Sequence, residues 1–290
     1  MHAILKKPEN YRERNVKIGI IQLAGFSLEI AERWAQKAVA DHPDIVVLPE
    51  IGCGREPESL DDSPILRRMS RYAADGRMYM VINLIEKKGS SETYNTTVIL
   101  DRQGKTAGIY RKVHIPLATE EQSKQTGGDQ LPVFSLDFGV VGMETCFDNY
   151  FPETVRSLAL AGAEIIFFPH QEHCCWNDVP HVETIGMARA IENVLFMVPS
   201  GPTAAEKGVY GRSGIIDPTG KYVLTLPPDK EGYGSATVDL GLINLVSIDW
   251  PGYEHAVPMR EQMLRNQAKC AMRGRRRPEA YRLHQCEPKQ

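Results

Sequence analysis

Short apolar runs alternate along the chain with stretches of helical spacing. Residues 16–23 (VKIGIIQL) read as a buried strand. Residues 28–40 place Ile30, Trp34 and Ala38 at i, i+4 and i+8, which predicts a helix with one apolar face. A second strand over 45–48 ends at Pro49, and a helix is predicted over 61–74, with Ser63 as its cap and Pro64 in its first position. Residues 79–85 and 96–100 read as strands, and 101–104 (DRQG) as a hairpin turn. The second half repeats the scheme. A strand over 139–144 runs directly into Cys146. A helix opens at Phe151-Pro152-Glu153, continues through Leu160 and closes at Ala161-Gly162-Ala163. A strand over 164–168 follows, then a helix over 182–193 with Ile185, Ala188 and Ile191 on one face. Strands over 195–198, 213–216 and 236–238 complete the set, and Asp217-Pro218-Thr219-Gly220 is a strong turn signal.

No Pro/Gly/Ser-rich linker and no short repeat divides the chain. Alternation with tight connections predicts an α/β fold with helices outside the sheets. Two stacked sheets flanked by helices in a single domain is the preferred arrangement, although periodicity alone does not separate it from one doubly wound sheet. The expected organisation is an N-terminal extension over 1–15, a main domain over 16–258, and a helix with a basic extended tail over 259–290, ending in Arg275-Arg276-Arg277-Pro278.

Composition narrows the classes. A chain of 290 residues with 42% hydrophobic residues buries a core without staples. Its net charge of −3 gives no push toward nucleic acid or membrane. The first fifteen residues lack the apolar run of a signal peptide, and no stretch approaches the roughly 18 apolar residues that span a bilayer. A cytoplasmic location is therefore expected. The six cysteines, Cys53, Cys146, Cys174, Cys175, Cys270 and Cys286, form no CxxC pair, so they read as reduced thiols, of which one is a candidate nucleophile.

Four places put a reactive side chain at a strand end, where ligands gather in α/β proteins. Glu50 follows the apolar strand and Pro49, where desolvation suits a carboxylate to proton transfer. Lys112 lies in Tyr110-Arg111-Lys112-Val113-His114-Ile115-Pro116 and offers a positive charge for a developing oxyanion. Taken alone, each of these is more simply a solvated surface residue. The third place is more telling. Val140 to Asp148 reads as strand, cysteine and polar turn before a helix opened by proline, which exposes the Cys146 thiol at an elbow and turns the Phe147 N–H toward a forming oxyanion. A free thiol has a pKa of about 8.5 and needs a neighbouring cation or base for activation. A buried apolar cysteine is the ordinary alternative, but these surroundings are too polar for it. The fourth place is Glu120-Glu121, in a polar loop ending Gly127-Gly128-Asp129.

Glu50 after its strand, Lys112 in YRKVHIP and Cys146 in ETCFDNYFPE occur in the order of the nitrilase (carbon–nitrogen hydrolase) superfamily, and the chain resembles that family from about residue 17 to 281. Tyr94-Asn95-Thr96, Arg189-Ala190-Ile191-Glu192-Asn193, the segment 211–220 (GRSGIIDPTG) and 276–281 (RRPEAY) agree with it. The resemblance implies a four-layer α-β-β-α sandwich, pairing through its helices into a homodimer or larger homo-oligomer, and no metal or organic cofactor, and the segment 259–290 is expected at the subunit interface. It also implies roles. Cys146 attacks the carbonyl or carbamoyl carbon, Glu50 moves the proton, Lys112 and the Phe147 N–H hold the oxyanion, and a second glutamate assists. Spacing back from Gly128-Asp129 assigns that glutamate to Glu121, whereas spacing forward from Lys112, as in some amidases, gives Glu120.

Nitrilases proper usually carry Trp-Glu after the cysteine. Phe147-Asp148 resembles instead the amidase and N-carbamoyl-amine hydrolase branches, so a small amide or N-carbamoyl substrate is expected, with nitrile hydrolysis or N-acyl transfer as alternatives. Asn149, Tyr150 and the bulky segment after the next strand, with His170, Gln171, His173 and Trp176, are the expected substrate-binding residues. His170, His173, Cys174, Cys175 and His181 are also zinc-type ligands at close spacing, but without a second paired motif a polar pocket wall is preferred to a metal site. The basic run over 273–277 is short and lacks interleaved aromatics, which favours contact with a partner subunit over nucleic acid.

Overall fold

The strands sort into two mixed six-stranded sheets packed face to face, in a computed structural model that describes residues 2–4, 7, 9, 11–116, 124–171, 181–203, 211–248 and 259–260. The first sheet contains β2 (Asn15–Gln22), β3 (Ile45–Val47), β4 (Tyr79–Lys88), β5 (Glu92–Leu100), β6 (Thr106–Arg111) and β13 (Gly232–Asp239), in the order β13-β2-β3-β4-β5-β6. The second contains β7 (Val133–Ser135), β8 (Val140–Met143), β9 (Ile165–Pro169), β10 (Phe196–Ser200), β11 (Gly214–Ile216) and β12 (Tyr222–Thr225), in the order β12-β11-β10-β9-β8-β7. The central trios, β2-β3-β4 and β8-β9-β10, are parallel. The expected N-terminal extension contains a strand, β1 (His2–Ile4), which pairs antiparallel with β14 (Val246–Ile248). No helix among the described residues is long and apolar enough to cross a membrane.

Two helices, α1 (Leu28–Asp41) and α2 (Pro64–Gly76), cover the outer face of the first sheet, and α3 (Pro152–Leu160) and α4 (His181–Asn193) cover the second. The result is the four-layer α-β-β-α sandwich in one domain. Side-chain alternation feeds both faces of each central strand into a core. Ile45 and Val47 enter the layer between the sheets, whereas Val46 and Leu48 pack beneath α1 and α2. The expected start of α2 holds, with Pro64 at its head and the Ser63 hydroxyl accepting from the Leu66 N–H at 2.9 Å. The expected hairpin turn over 101–104 and the expected turn over 217–220 both form around an aspartate. Asp101 accepts from the Gln103 and Lys105 N–H groups, and Asp217 from those of Thr219 and Lys221.

Two helix faces differ from expectation. In α1 the fully buried positions are Ala31, Ala35 and Ala38, with Ile30 and Trp34 packing at the flanks. In α4, Val182, Gly186, Ala190 and Asn193 face inward while Ala188 is exposed. Small residues let the helix axis approach the sheet, so close packing outranks the largest apolar side chains in choosing the face.

Candidate active site

At one end of the inter-sheet layer the inward positions change from apolar to polar. On β4, Val81 is followed by Asn83 two residues later. On β5, Ile99 is preceded by Thr97 and Asn95. All three polar residues are buried, and Asn83 and Thr97 lie directly opposite each other on the paired strands. The Asn83 amide donates to Asn95 Oδ1 at 2.7 Å and to Thr97 Oγ1 at 2.9 Å, and Thr97 Oγ1 meets Thr145 Oγ1, just past β8, at 3.0 Å. Buried polar groups persist only when paired, and these pair with one another.

Glu50 joins this network. The backbone after it turns sharply, with Ile51 at φ 45°, and the Ile51 N–H is held by Asn83 Oδ1 at 2.8 Å. The carboxylate is 4% exposed, and its Oε1 accepts from Asn95 Nδ2 at 2.7 Å and from Lys112 Nζ at 3.0 Å. Among the described residues Oε2 accepts no hydrogen bond, which leaves it available to a proton donor in the site.

Lys112 follows the last residue of β6, and its N–H continues the pairing onto the Asn95 carbonyl at 2.9 Å. Neighbouring Arg111 points the other way, onto Glu86 at 2.7 Å. Lys112 is itself only 2% exposed. Burial works against its charge, but Glu50, Cys146 and Asp148 outweigh that and raise its pKa, so the lysine stays protonated. The chain returns to it at Gly128, whose N–H donates to the Lys112 carbonyl at 2.8 Å. Only glycine fits there, because a Cβ would stand 2.2 Å from the Arg111 carbonyl oxygen.

Cys146 sits just past β8 at φ 49°, a left-handed backbone that costs a non-glycine residue about 1–3 kcal/mol. A short 3₁₀ turn, Cys146–Tyr150, follows it, and the thiol is half-buried. The turn is locked to the lysine loop by Asp148, which is fully buried. Asp148 Oδ2 accepts from the Tyr110 hydroxyl at 2.6 Å and from the Thr145 N–H at 3.0 Å. Its Oδ1 accepts from the His114 N–H at 2.9 Å and meets His114 Nδ1 at 2.8 Å, and the His114 ring stacks on Phe151 at 3.7 Å.

The structure therefore brings Glu50, Lys112 and Cys146 together. The other expected residues scatter. The Phe147 ring packs against Tyr150 and Phe151. Tyr150 is exposed, whereas Asn149 is fully buried and its carbonyl accepts from Arg189. His170 is fully buried, stacks on Phe168, lies against Gly201, and has its pKa lowered to about 3 by burial. Gln171 Nε2 donates to the Glu50 carbonyl at 3.4 Å. Glu120, Glu121, His173, Cys174, Cys175, Trp176 and the basic tail lie outside the described residues. Among those described, no grouping of His, Cys, Asp and Glu gathers as a metal site would. Sequence reasoning missed Asn83 and the bridging role of Asp148. The available signal was an asparagine at an inward strand position, in register with Val81 and Tyr79.

A buried ammonium beside a carboxylate and a thiol favours the thiolate once the proton has moved to the carboxylate, the requirement for attack on an acyl carbon. Comparison with known proteins agrees with that chemistry. The family model described as Carbon-nitrogen hydrolase matches residues 19–247. The sequence is 31% identical to a probable nitrilase of Schizosaccharomyces pombe over 74% of this chain and 83% of that one. It is 26% identical to the N-carbamoylputrescine amidase of Arabidopsis thaliana, covering 82% and 91% of the two chains. It is also 26% identical to the citrullinase of Francisella tularensis, covering 81% and 93%. Among solved structures, a double mutant of the amidase from Nesterenkonia sp. AN1 in complex with acrylamide superposes with a TM-score of 0.69 at 22% identity, over 80% of this chain and 93% of that one.

Proposed function

Because the chain belongs to the carbon–nitrogen hydrolase family, we propose that it cleaves a small amide or N-carbamoyl amine through a covalent Cys146 intermediate. The observation that carries this reading is the buried Lys112 ammonium, 3.0 Å from Glu50 and held protonated by Glu50 and Cys146. In the proposed cycle Glu50 accepts the thiol proton and Cys146 Sγ adds to the carbonyl carbon. Lys112 and the Phe147 N–H stabilise the oxyanion. The carbon–nitrogen bond breaks as Glu50 returns the proton to the departing amine or ammonia. Water, deprotonated by Glu50, then cleaves the thioester and frees the thiol. Glu121 is the proposed second glutamate, with Asn149, Tyr150, His170, Gln171, His173 and Trp176 as the proposed substrate wall. No step needs a metal or organic cofactor.

Phe147-Asp148 after the nucleophile supports the amide-type reading over nitrile hydrolysis, and relatives named N-carbamoylputrescine amidase and citrullinase support a carbamoyl group. The test is ammonia release from a panel of N-carbamoyl amines, N-carbamoyl amino acids, simple amides and nitriles, with Cys146→Ala alongside. Release by wild type alone is expected. Equal release by the variant, or none from any panel member, overturns the reading. Amide synthesis from an added amine, faster than hydrolysis, would favour acyl transfer instead. A cytoplasmic homodimer or larger assembly with residues 259–290 at the interface is proposed as the working form. Arg260, buried and donating to the Gly162, Ala163 and Val194 carbonyls, supports anchoring of that segment at the domain surface. Sedimentation of the full chain tests it.

A further inference from the structure

Three loops meet beside Glu50 at the C-terminal ends of β2, β3 and β9, and each contributes one side chain to a chain of contacts. Phe26 lies in the turn between β2 and α1, Arg55 in the loop after Glu50, and Gln171 just past β9. The Arg55 guanidinium lies over the Phe26 ring, 4.0 Å from its centroid, and donates to Gln171 Oε1 at 3.3 Å. The same Gln171 carboxamide donates to the Glu50 backbone carbonyl at 3.4 Å. An exposed arginine is thereby steadied on an aromatic face and tied, through one side chain, to the backbone of the proposed base.

Arg55 makes no ion pair among the described residues, as Arg12, Arg71, Arg77 and Arg260 make none, but of these five it alone is linked through a side chain to the Glu50 backbone. Its neighbour in sequence, Glu56, is exposed and makes no ion pair with it. A guanidinium presents five N–H donors, and the contact with Gln171 uses one. The remaining fork suits a carboxylate, which arginine binds with two parallel hydrogen bonds. An ammonium would find the opposite situation. It would meet a like charge, and the aromatic face that attracts cations is already covered by Arg55.

We propose that Arg55 receives the carboxylate of the substrate, so that the substrate class is a carbamoylated or amidated carboxylic acid, such as an N-carbamoyl amino acid or the monoamide of a dicarboxylic acid. This rests on the hydrolase reading of Cys146 and adds the charge of the substrate's far end to it. Arg55 is a specificity residue in this proposal and takes no part in bond cleavage.

The experiment compares three ureas of similar length that differ in terminal charge: N-carbamoyl-4-aminobutyrate, N-butylurea and N-carbamoylputrescine. A parallel amide set of glutaramate, pentanamide and 5-aminopentanamide separates the two substrate sources. Wild type is expected to favour the anion in whichever set it turns over. Arg55→Ala is expected to raise KM for the anion about tenfold more than for the neutral compound, the loss of its charge-assisted contact, with kcat on the anion within about twofold. An unfolding midpoint equal to that of wild type reports that the variant is folded. Arg55→Glu is expected to reverse the order of anion and cation. A wild-type preference for the cation, or an equal fall on all three compounds in Arg55→Ala, overturns the proposal while leaving the hydrolase reading intact. Failure of wild type on every compound of both sets overturns both.

Discussion

Replacing Asp148 by asparagine tests whether the lysine loop and the cysteine turn act as one unit. All four of its contacts bring a donor to a carboxylate: Tyr110 OH, Thr145 N–H, His114 N–H and His114 Nδ1, at 2.6–3.0 Å. A carboxamide has one acceptor oxygen and one NH₂. In either orientation the NH₂ faces one of the two pairs. A tyrosine hydroxyl can rotate and an imidazole can change tautomer, but a backbone N–H cannot become an acceptor. One N–H, of Thr145 or of His114, is left facing another donor in a site where Asp148 is fully buried. That costs about 1–3 kcal/mol, and the surviving contacts lose their charge assistance, so a total near 3 kcal/mol is expected. The assay is urea unfolding of Asp148→Asn and Tyr110→Phe beside wild type, with steady-state kinetics on the best panel substrate. The midpoint of Asp148→Asn is expected to fall with its slope unchanged. Its kcat is expected to drop by roughly 10- to 100-fold, since a displacement of about 1 Å at reacting groups has effects of that order. Tyr110→Phe removes one donor and keeps the carboxylate, so about 1 kcal/mol is expected from it. A loss under about 0.5 kcal/mol with kcat within twofold in Asp148→Asn, or equal losses in the two variants, would refute the bridging role.

Three further outcomes follow from the site. Iodoacetamide near neutral pH is expected to modify Cys146 far faster than Cys53, whose thiol is buried and pushed up to about 12 by desolvation; comparable rates by peptide mass spectrometry would contradict the thiolate assignment. His170 is held neutral, with its pKa lowered from 6.5 to about 3, so the unfolded chain binds a proton there that the folded one does not. Its contribution is whole above about pH 6.5 and shrinks as pH falls, by roughly 3 kcal/mol down to about pH 4.5, and His170→Gln should flatten that slope in unfolding measured across the window. Glu121→Gln is expected to lower turnover far more than Glu120→Gln, and the reverse ranking would move the second glutamate by one position.

Much of the site was legible in the chain. Strand ends offered Glu50, Lys112 and Cys146, of which only Cys146 stood out by its surroundings and the others by the resemblance to the nitrilase superfamily, and Ser63-Pro64, Asp101 and Asp217 marked a helix start and two turns that form as read. These features are local, because burial, backbone preference and turn chemistry belong to a residue and its near neighbours. That Val46 and Val47 serve different cores was not legible, because a strand buried on both faces shows no contrast along the chain, and the inward face of α4 was hidden because small residues rather than its larger apolar ones meet the sheet. The partners of the reactive groups were hidden for a related reason. Asp148 meets Tyr110 across 38 positions and Glu50 meets Lys112 across 62, and no periodicity records such pairs. Residue types along the chain set what each position tolerates. The stacking of two sheets alone decided which carboxylate, ammonium and thiol meet, because hydrogen bonding and charge act through distance in space.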